Sequence, residues 1–264
     1  MNRKEIYYSL PYSPRRMLYS IYKPKWFREN QHKRTIDTSS GYSYKPFDQN
    51  RSIFVHIPKA AGVSICRSLF GNLAGGHATV SEYQMIFSKK EFDRYFKFTF
   101  VRNPWDRVFS AYNFLKKGGM NERDRKWAEA ELAPYRDFND FVRKGLGKPS
   151  VQRWVHFVPQ TSFLFVPGSQ KLQVDFLGFF ENIQEDFQYV ANILGMGESA
   201  VMKKDNVTSS DRKLGYKDSY TEEARDIVAR IYERDIENFG YNFDNSSLPS
   251  QLESRLVRTA SCHR

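Results

Sequence analysis

The sequence predicts an α/β domain with a central, mainly parallel sheet flanked by helices. Two observations carry that expectation. Short β-rich runs alternate with stretches whose apolar residues recur at helical spacing, and at two places a strand-like run passes within a few residues into a helix start. Residues 1–50, rich in Tyr, Pro, Lys and Arg, show no sustained period and read as a basic arm laid over the domain through aromatics such as Trp26 and Phe27. SIFVHI then reads as a strand with His56 inside it as a structural residue, and VSICRSLFGNL as a helix carrying Val63, Cys66, Phe70 and Leu73 on one face. FKFTFV (96–101) is a second strand; in the RNP that follows, Asn103 suits an N-cap and Pro104 the first helical position.

Residues 121–155 look helical and charged, with KGG (117–119) breaking the chain before them. HFVPQTSFLFV reads as extended and VDFLGFF (174–180) as a third strand. NIQEDFQYVANIL places Ile183, Phe187, Val190 and Leu194 on one helical face. A polar loop precedes one long closing helix around EEARDIVARIYERDIENF, and the last twenty residues read as a ragged tail. The divisions expected are an arm (1–50), the α/β domain (51–244) and a polar tail (245–264).

The chain has 264 residues and a net charge of +11, of which residues 1–50 hold ten Lys/Arg against four Asp/Glu. A basic surplus suits anionic partners: nucleotides, nucleic acid, sulfated or phosphorylated substrates, or a membrane surface, with solubility and chance an equally good reading; no specific nucleic acid is expected. Cys66 and Cys262 form no CxxC and read as free thiols of a reducing compartment. No run approaches the length of a membrane span, and the N-terminus lacks a signal peptide's apolar region, so a cytoplasmic location is expected.

In an open parallel sheet, ligands bind beyond the carboxyl ends of the strands, so both strand–helix joints belong at one rim. At the first, PKAAGVS, a helix start offers free N–H groups and a positive dipole end. Ala60, Ala61 and Gly62 let backbone close around a phosphate-sized group, while Lys59 adds a charge and Ser64 a hydroxyl. The order is not that of a Walker A loop. An ordinary tight turn with a solvated lysine reads equally well from this segment alone. At the second joint, FVRNPWDRVFSAY, Arg102 stands at the strand end and Ser110 eight residues on, with Arg107 a further cation. A planar guanidinium and a hydroxyl suit a terminal phosphate, although Arg102 paired to an acid would also satisfy the pattern.

The pair HIPKAAGVS and FVRNPWDRVFSAY resembles the cofactor signature of the carbohydrate-type sulfotransferases, family 2. More loosely, the likeness runs through HFVPQTSFLF, VDFLGFFEN and the closing helix, over roughly residues 51–243. It implies a P-loop NTPase-like fold, no metal requirement, and 3′-phosphoadenosine 5′-phosphosulfate as donor, with 3′,5′-ADP as product. Lys59, Ala60, Ala61, Gly62, Val63 and Ser64 would line the 5′-phosphosulfate, and Arg102 and Ser110 the 3′-phosphate. Arg212, Lys213 and Tyr216 would close over the nucleotide, a solvated basic loop being the alternative. Ala60 and Val63 stand where the family usually has threonines, leaving backbone N–H groups to hold the sulfate end. Phe179 stands where many members have arginine.

Lys59 would steady the leaving group. His77, in GGHATVSEY, is the first choice for the base because uronyl-type members carry theirs at a comparable position; a capping or surface histidine is the alternative. His156 and Glu181 follow, the latter also suited to capping the next helix. The acceptor expected is a hydroxyl or amine of a glycan or glycolipid, met by variable residues in 117–160. Two other classes remain: a kinase-like enzyme with a degenerate P-loop, against which the missing Walker motifs count, and a non-enzymatic polyanion binder, against which the scattered basic residues count.

Overall fold

Three parallel strands, β1 (Ser52–Val55), β2 (Phe96–Val101) and β3 (Phe176–Phe179), pair in sequence order, with Phe54 opposite Phe98 and Phe98 opposite Phe176. The computed structural model describes residues 3–197, 200–202 and 215–255. Every strand residue is buried, the mark of a sheet covered on both faces. Thus the expected α/β class holds. The alternating FKFTFV pattern hides two buried polar groups: Thr99 donates to the Val55 carbonyl (2.7 Å), and the Lys97 ammonium bonds the Phe92 and Tyr95 carbonyls and pairs with Asp175 at 2.8 Å.

Residues 3–50 are largely helical. They form α1 (Arg3–Ser9), α2 (Tyr12–Tyr22), α3 (Pro24–Lys33) and α4 (Lys45–Gln49). Their hydrophobic period is missing because α2 seats itself through polar groups. Arg16 donates to the Met85 and Ile86 carbonyls, Tyr12 to that of Phe87, and the buried Arg15 to that of Tyr8 and to the Gln84 side chain. Between β1 and β2 run α5 (Gly62–Phe70), α6 (Val80–Ile86) and α7 (Lys89–Arg94); the last two each begin with a reciprocal capping box, Thr79/Glu82 and Ser88/Glu91. Cys66 is a buried free thiol in α5, whereas Cys262 lies outside the described residues.

After β2 come α8 (Pro104–Lys116), α9 (Glu122–Glu131), α10 (Phe138–Lys144), α11 (Pro149–Gln152) and α12 (Thr161–Leu164). Asn103 caps α8 through its side chain, with Pro104 first in the helix. The segment read as extended, HFVPQTSFLFV, instead turns into α12. A buried carboxylate, Asp235, accepts from the Gln160 and Thr161 N–H groups (2.7 and 2.8 Å) and caps the turn from 75 residues away in sequence.

Following β3 are α13 (Ile183–Ile193), α14 (Tyr216–Ser219), α15 (Glu222–Ile231), α16 (Glu233–Phe239) and α17 (Leu248–Ser254). The expected single closing helix divides at Tyr232, which leaves helical torsions (φ −109°, ψ 23°) as its hydroxyl donates to the Phe157 carbonyl at 2.7 Å. The described part of the tail, residues 245–255, carries α17, whose buried Gln251 donates to the Phe239 carbonyl, and Arg255 pairs with Asp186. No helix among the described residues is long and apolar enough to cross a membrane.

Candidate functional site

The first joint begins where β1 ends. Lys59 (φ 69°) and Ala61 (φ 60°) both adopt the left-handed conformation that side chains resist, at a cost of order 1–3 kcal/mol each. Alternating hands in a turn aim successive N–H groups into one concavity, which suits an anion. Ala61 is also the N-cap of α5, and no side chain caps that helix, so the positive end of its dipole is not met by a capping group. Ala60 is wholly buried and Ser64 nearly so, while Val63 and Ala61 are half-buried. Only Gly62 fits beneath the neighbouring imidazole: a Cβ there would stand 1.8 Å from His56 Cδ2. The Lys59 ammonium lies 3.8 Å from the Phe114 ring centre.

At the second joint the Arg102 guanidinium is buried and fully oriented. Its Nη1 donates to the Lys59 carbonyl (2.9 Å) and to Ser110 Oγ (3.2 Å), so the two joints meet at one nitrogen. Nε and Nη2 engage Asp106, one turn on (2.8 and 2.7 Å), and the Phe180 ring lies beneath at 4.0 Å. The acid partner that the sequence left open is therefore present, beside the serine rather than instead of it. Gln160 fixes the Arg102 backbone from both sides, accepting from its N–H (2.9 Å) and donating to its carbonyl (2.8 Å).

Other expected residues fall differently. Arg107 is not a cation for a ligand. It is fully buried, and donates to the His156 and Val158 carbonyls (3.1 and 2.8 Å), anchoring that segment. Glu181 reaches the joint with both oxygens taken, by the Asn103 N–H (2.7 Å) and the Tyr241 hydroxyl (3.0 Å), while burial pushes its carboxyl pKa up. It holds the Asn103 backbone at the joint. Phe179 is buried, its N–H bonded to Asp186. The Tyr216 hydroxyl donates to the Phe243 carbonyl (2.5 Å), and Arg212 and Lys213 lie outside the described residues.

Three histidines gather beside Lys59. His56 is not a remote strand residue: it follows β1, and its ring centre is 4.3 Å from that of His77. His77 Nδ1 meets the His56 carbonyl at 3.2 Å, so in the neutral ring Nδ1 carries the proton and Nε2 the lone pair. The His156 ring stands 6.2 Å from that of His77 and 5.1 Å from that of Phe114, its Nε2 3.4 Å from Asp124 Oδ1. Asp124 had no signal of its own in the sequence. The KGG break supplies its room: Gly119 (φ 71°) sits where a Cβ would fall 2.1 Å from Asp124 Cβ, and the Met120 N–H donates to Asp124 Oδ2.

Burial, reinforced by neighbouring cationic groups, holds all three imidazoles below their ordinary range, His77 at about 4. As pH falls from the unfolded value near 6.5, the unfolded chain takes up protons that the fold refuses. The stability these neutral rings confer is complete above pH 6.5 and declines between there and pH 4. His77 alone accounts for about 3 kcal/mol across that window. Thermal melts from pH 7 to 4 are expected to show a steep fall that is shallower in His77→Gln; parallel curves would refute the assignment.

A parallel sheet whose first two strands each end in an anion-ready helix start matches the frame of a known enzyme class. The Sulfotransferase family profile matches residues 43–242, and the chain belongs to that family, whose members have a P-loop-like fold. It is 28% identical to carbohydrate sulfotransferase 10 of Rattus norvegicus over 141 residues, 46% of this chain and 38% of that protein. To carbohydrate sulfotransferase 11 of the same species it is 25% identical over 186 residues, 63% and 53% of the two chains. An uncharacterized protein of Archaeoglobus fulgidus is 31% identical over 110 residues, 42% of this chain and 76% of that one. The chain thus spans about a third to a half of the carbohydrate sulfotransferases it matches. No solved structure matches it.

Proposed function

We propose that the protein transfers the sulfuryl group of 3′-phosphoadenosine 5′-phosphosulfate to a hydroxyl of a carbohydrate acceptor. One observation carries the reading: a single guanidinium nitrogen of Arg102 bridges the Lys59 turn and Ser110, joining a 5′-end anion cradle to a 3′-phosphate donor pair. Backbone N–H groups of the Lys59–Ser64 turn fit the phosphosulfate, and they replace the two hydroxyls lost at Ala60 and Val63. When bound, the donor supplies an activated sulfuryl group; the chain's task is to hold it in line and neutralise charge on the departing oxygen. Lys59, whose ammonium lies 3.8 Å from the Phe114 ring centre, would neutralise charge on that oxygen. His77, neutral at pH 7 with its lone pair on Nε2, accepts the acceptor's proton. Asp124 keeps His156 in the tautomer with its proton on Nε2. Carbohydrate is the acceptor class borne in the names of the related enzymes.

Calorimetric titration tests the donor. The 3′-phosphate contacts imply that 3′,5′-ADP binds at least about tenfold tighter than ATP or 5′-AMP, roughly 1.4 kcal/mol, and that Ser110→Ala combined with Arg102→Lys erases the preference. ATP binding as tightly as 3′,5′-ADP would instead identify a kinase-like site. Labelled-sulfate transfer across glycans, glycolipids and small alcohols then reads the acceptor.

A further inference from the structure

The α2 helix is inside out. Its cations and hydroxyls face the protein: Arg15, Arg16 and Tyr12 bond to Tyr8, Gln84 and the 85–87 carbonyls. Its apolar side chains face solvent. Of the eleven exposed large hydrophobic residues described, six lie on α1, α2 and the two-residue joint between them: Ile6, Leu10, Met17, Leu18, Ile21 and Tyr22. Ile21 and Tyr22 are 70% and 77% exposed. A helix seated by five polar bonds cannot roll to bury that face, so the apolar strip is presented by the fold itself.

Charge indicates what covers the strip. Residues 3–33, which span α1–α3, contain eight Lys/Arg and two Glu, with Arg15 and Arg16 turned inward. Lys23, Lys25 and Arg28 are exposed beside the strip, with Glu29 the single acid on α3, and Tyr19 and Trp26 pack edge to face next to it at 5.1 Å. An apolar strip with a basic border and Tyr/Trp at its edge is the chemistry of a helix lying in the headgroup layer of an anionic bilayer. A two-fold pairing of copies would bring like charges together.

We infer that α1–α3 form a docking surface for an anionic membrane, with Leu18, Ile21 and Tyr22 entering the headgroup–acyl boundary and Lys23, Lys25 and Arg28 meeting lipid phosphates. This inference stands apart from the sulfuryl-transfer reading. Tyr7 and Tyr8 of α1 and Tyr19 and Tyr22 of α2 line a cavity of about 1170 Å³ together with Thr79 and Ser81, which follow His77 closely in sequence.

Sedimentation of the full chain with vesicles tests it. Binding to a three-to-one mixture of phosphatidylcholine and phosphatidylglycerol is expected, at least about tenfold stronger than to phosphatidylcholine alone and weakened by high salt. Leu18→Glu with Ile21→Glu, and separately Lys23→Glu with Lys25→Glu, are each expected to lower it about tenfold while leaving the circular dichroism melt in place. Ile21→Gln provides a milder variant should the double change disturb folding. No sedimentation with the mixed vesicles overturns the proposal, as does binding indifferent to these substitutions. Concentration-dependent dimers abolished by the same variants, without vesicle binding, overturn it in favour of a second copy.

Discussion

Replacing His77 by alanine is expected to lower turnover by about 10²- to 10⁴-fold while 3′,5′-ADP affinity stays unchanged. The two readouts separate because His77 holds no nucleotide contact in the proposed site; its Nδ1 proton is bound to the His56 carbonyl, which fixes the ring and leaves Nε2 to work. Burial first, and His156 and Lys59 next, keep the ring neutral, with a pKa near 4. The acid limb of kcat/KM should therefore lie well below pH 6.5, activity falling as the ring protonates. Near-normal turnover in His77→Ala would move the base to His156. In that case Asp124→Asn, which removes the carboxylate facing His156 Nε2, becomes the variant that silences the enzyme.

Gly62→Ala is expected to cost nucleotide binding and stability together. The added Cβ would lie 1.8 Å from His56 Cδ2 and 1.9 Å from its Nε2, distances no real contact allows. Nor can the ring step aside easily, since it stacks on Phe54 (centres 5.6 Å apart) and against His77. Overpacking of this kind costs about 1–3 kcal/mol, a fall in Tm of roughly 2–12 °C for a chain of this size. The phosphate turn has to shift, so 3′,5′-ADP affinity should fall as well. His56→Ala in the same chain removes the obstacle, and the double variant is expected to regain most of the lost Tm. A silent Gly62→Ala, or a double variant no better than the single, would show that the close approach does not shape the turn.

Local signals were legible. Asn103 as cap with Pro104 behind it, three apolar strands, and a small-residue turn after Pro58 each express themselves within about ten residues, because capping and turn geometry depend on near neighbours. So does the pairing of Arg102 with Ser110, two helical turns apart. What could not be read was set by distant partners. The basic character of Arg107 suggested a ligand, whereas the fold wraps it in the 156–158 carbonyls. VPQT looked extended until Asp235 supplied its cap, and residues 1–50 looked irregular because α2 turns Arg15 and Arg16 inward and exposes leucine and isoleucine.

By itself, then, the sequence determined the α/β order of elements, the two anion-ready joints and membership in a family that moves sulfuryl groups. Only the tertiary structure decided that these joints meet at one Arg102 nitrogen, that His56, His77 and His156 share a corner with Asp124, and that Glu181 accepts from the Asn103 N–H and the Tyr241 hydroxyl. The division has a physical reason. Strand, cap and turn energies are summed over adjacent residues, whereas hydrogen bonds between distant segments and the burial that moves a pKa exist only after the chain has closed on itself.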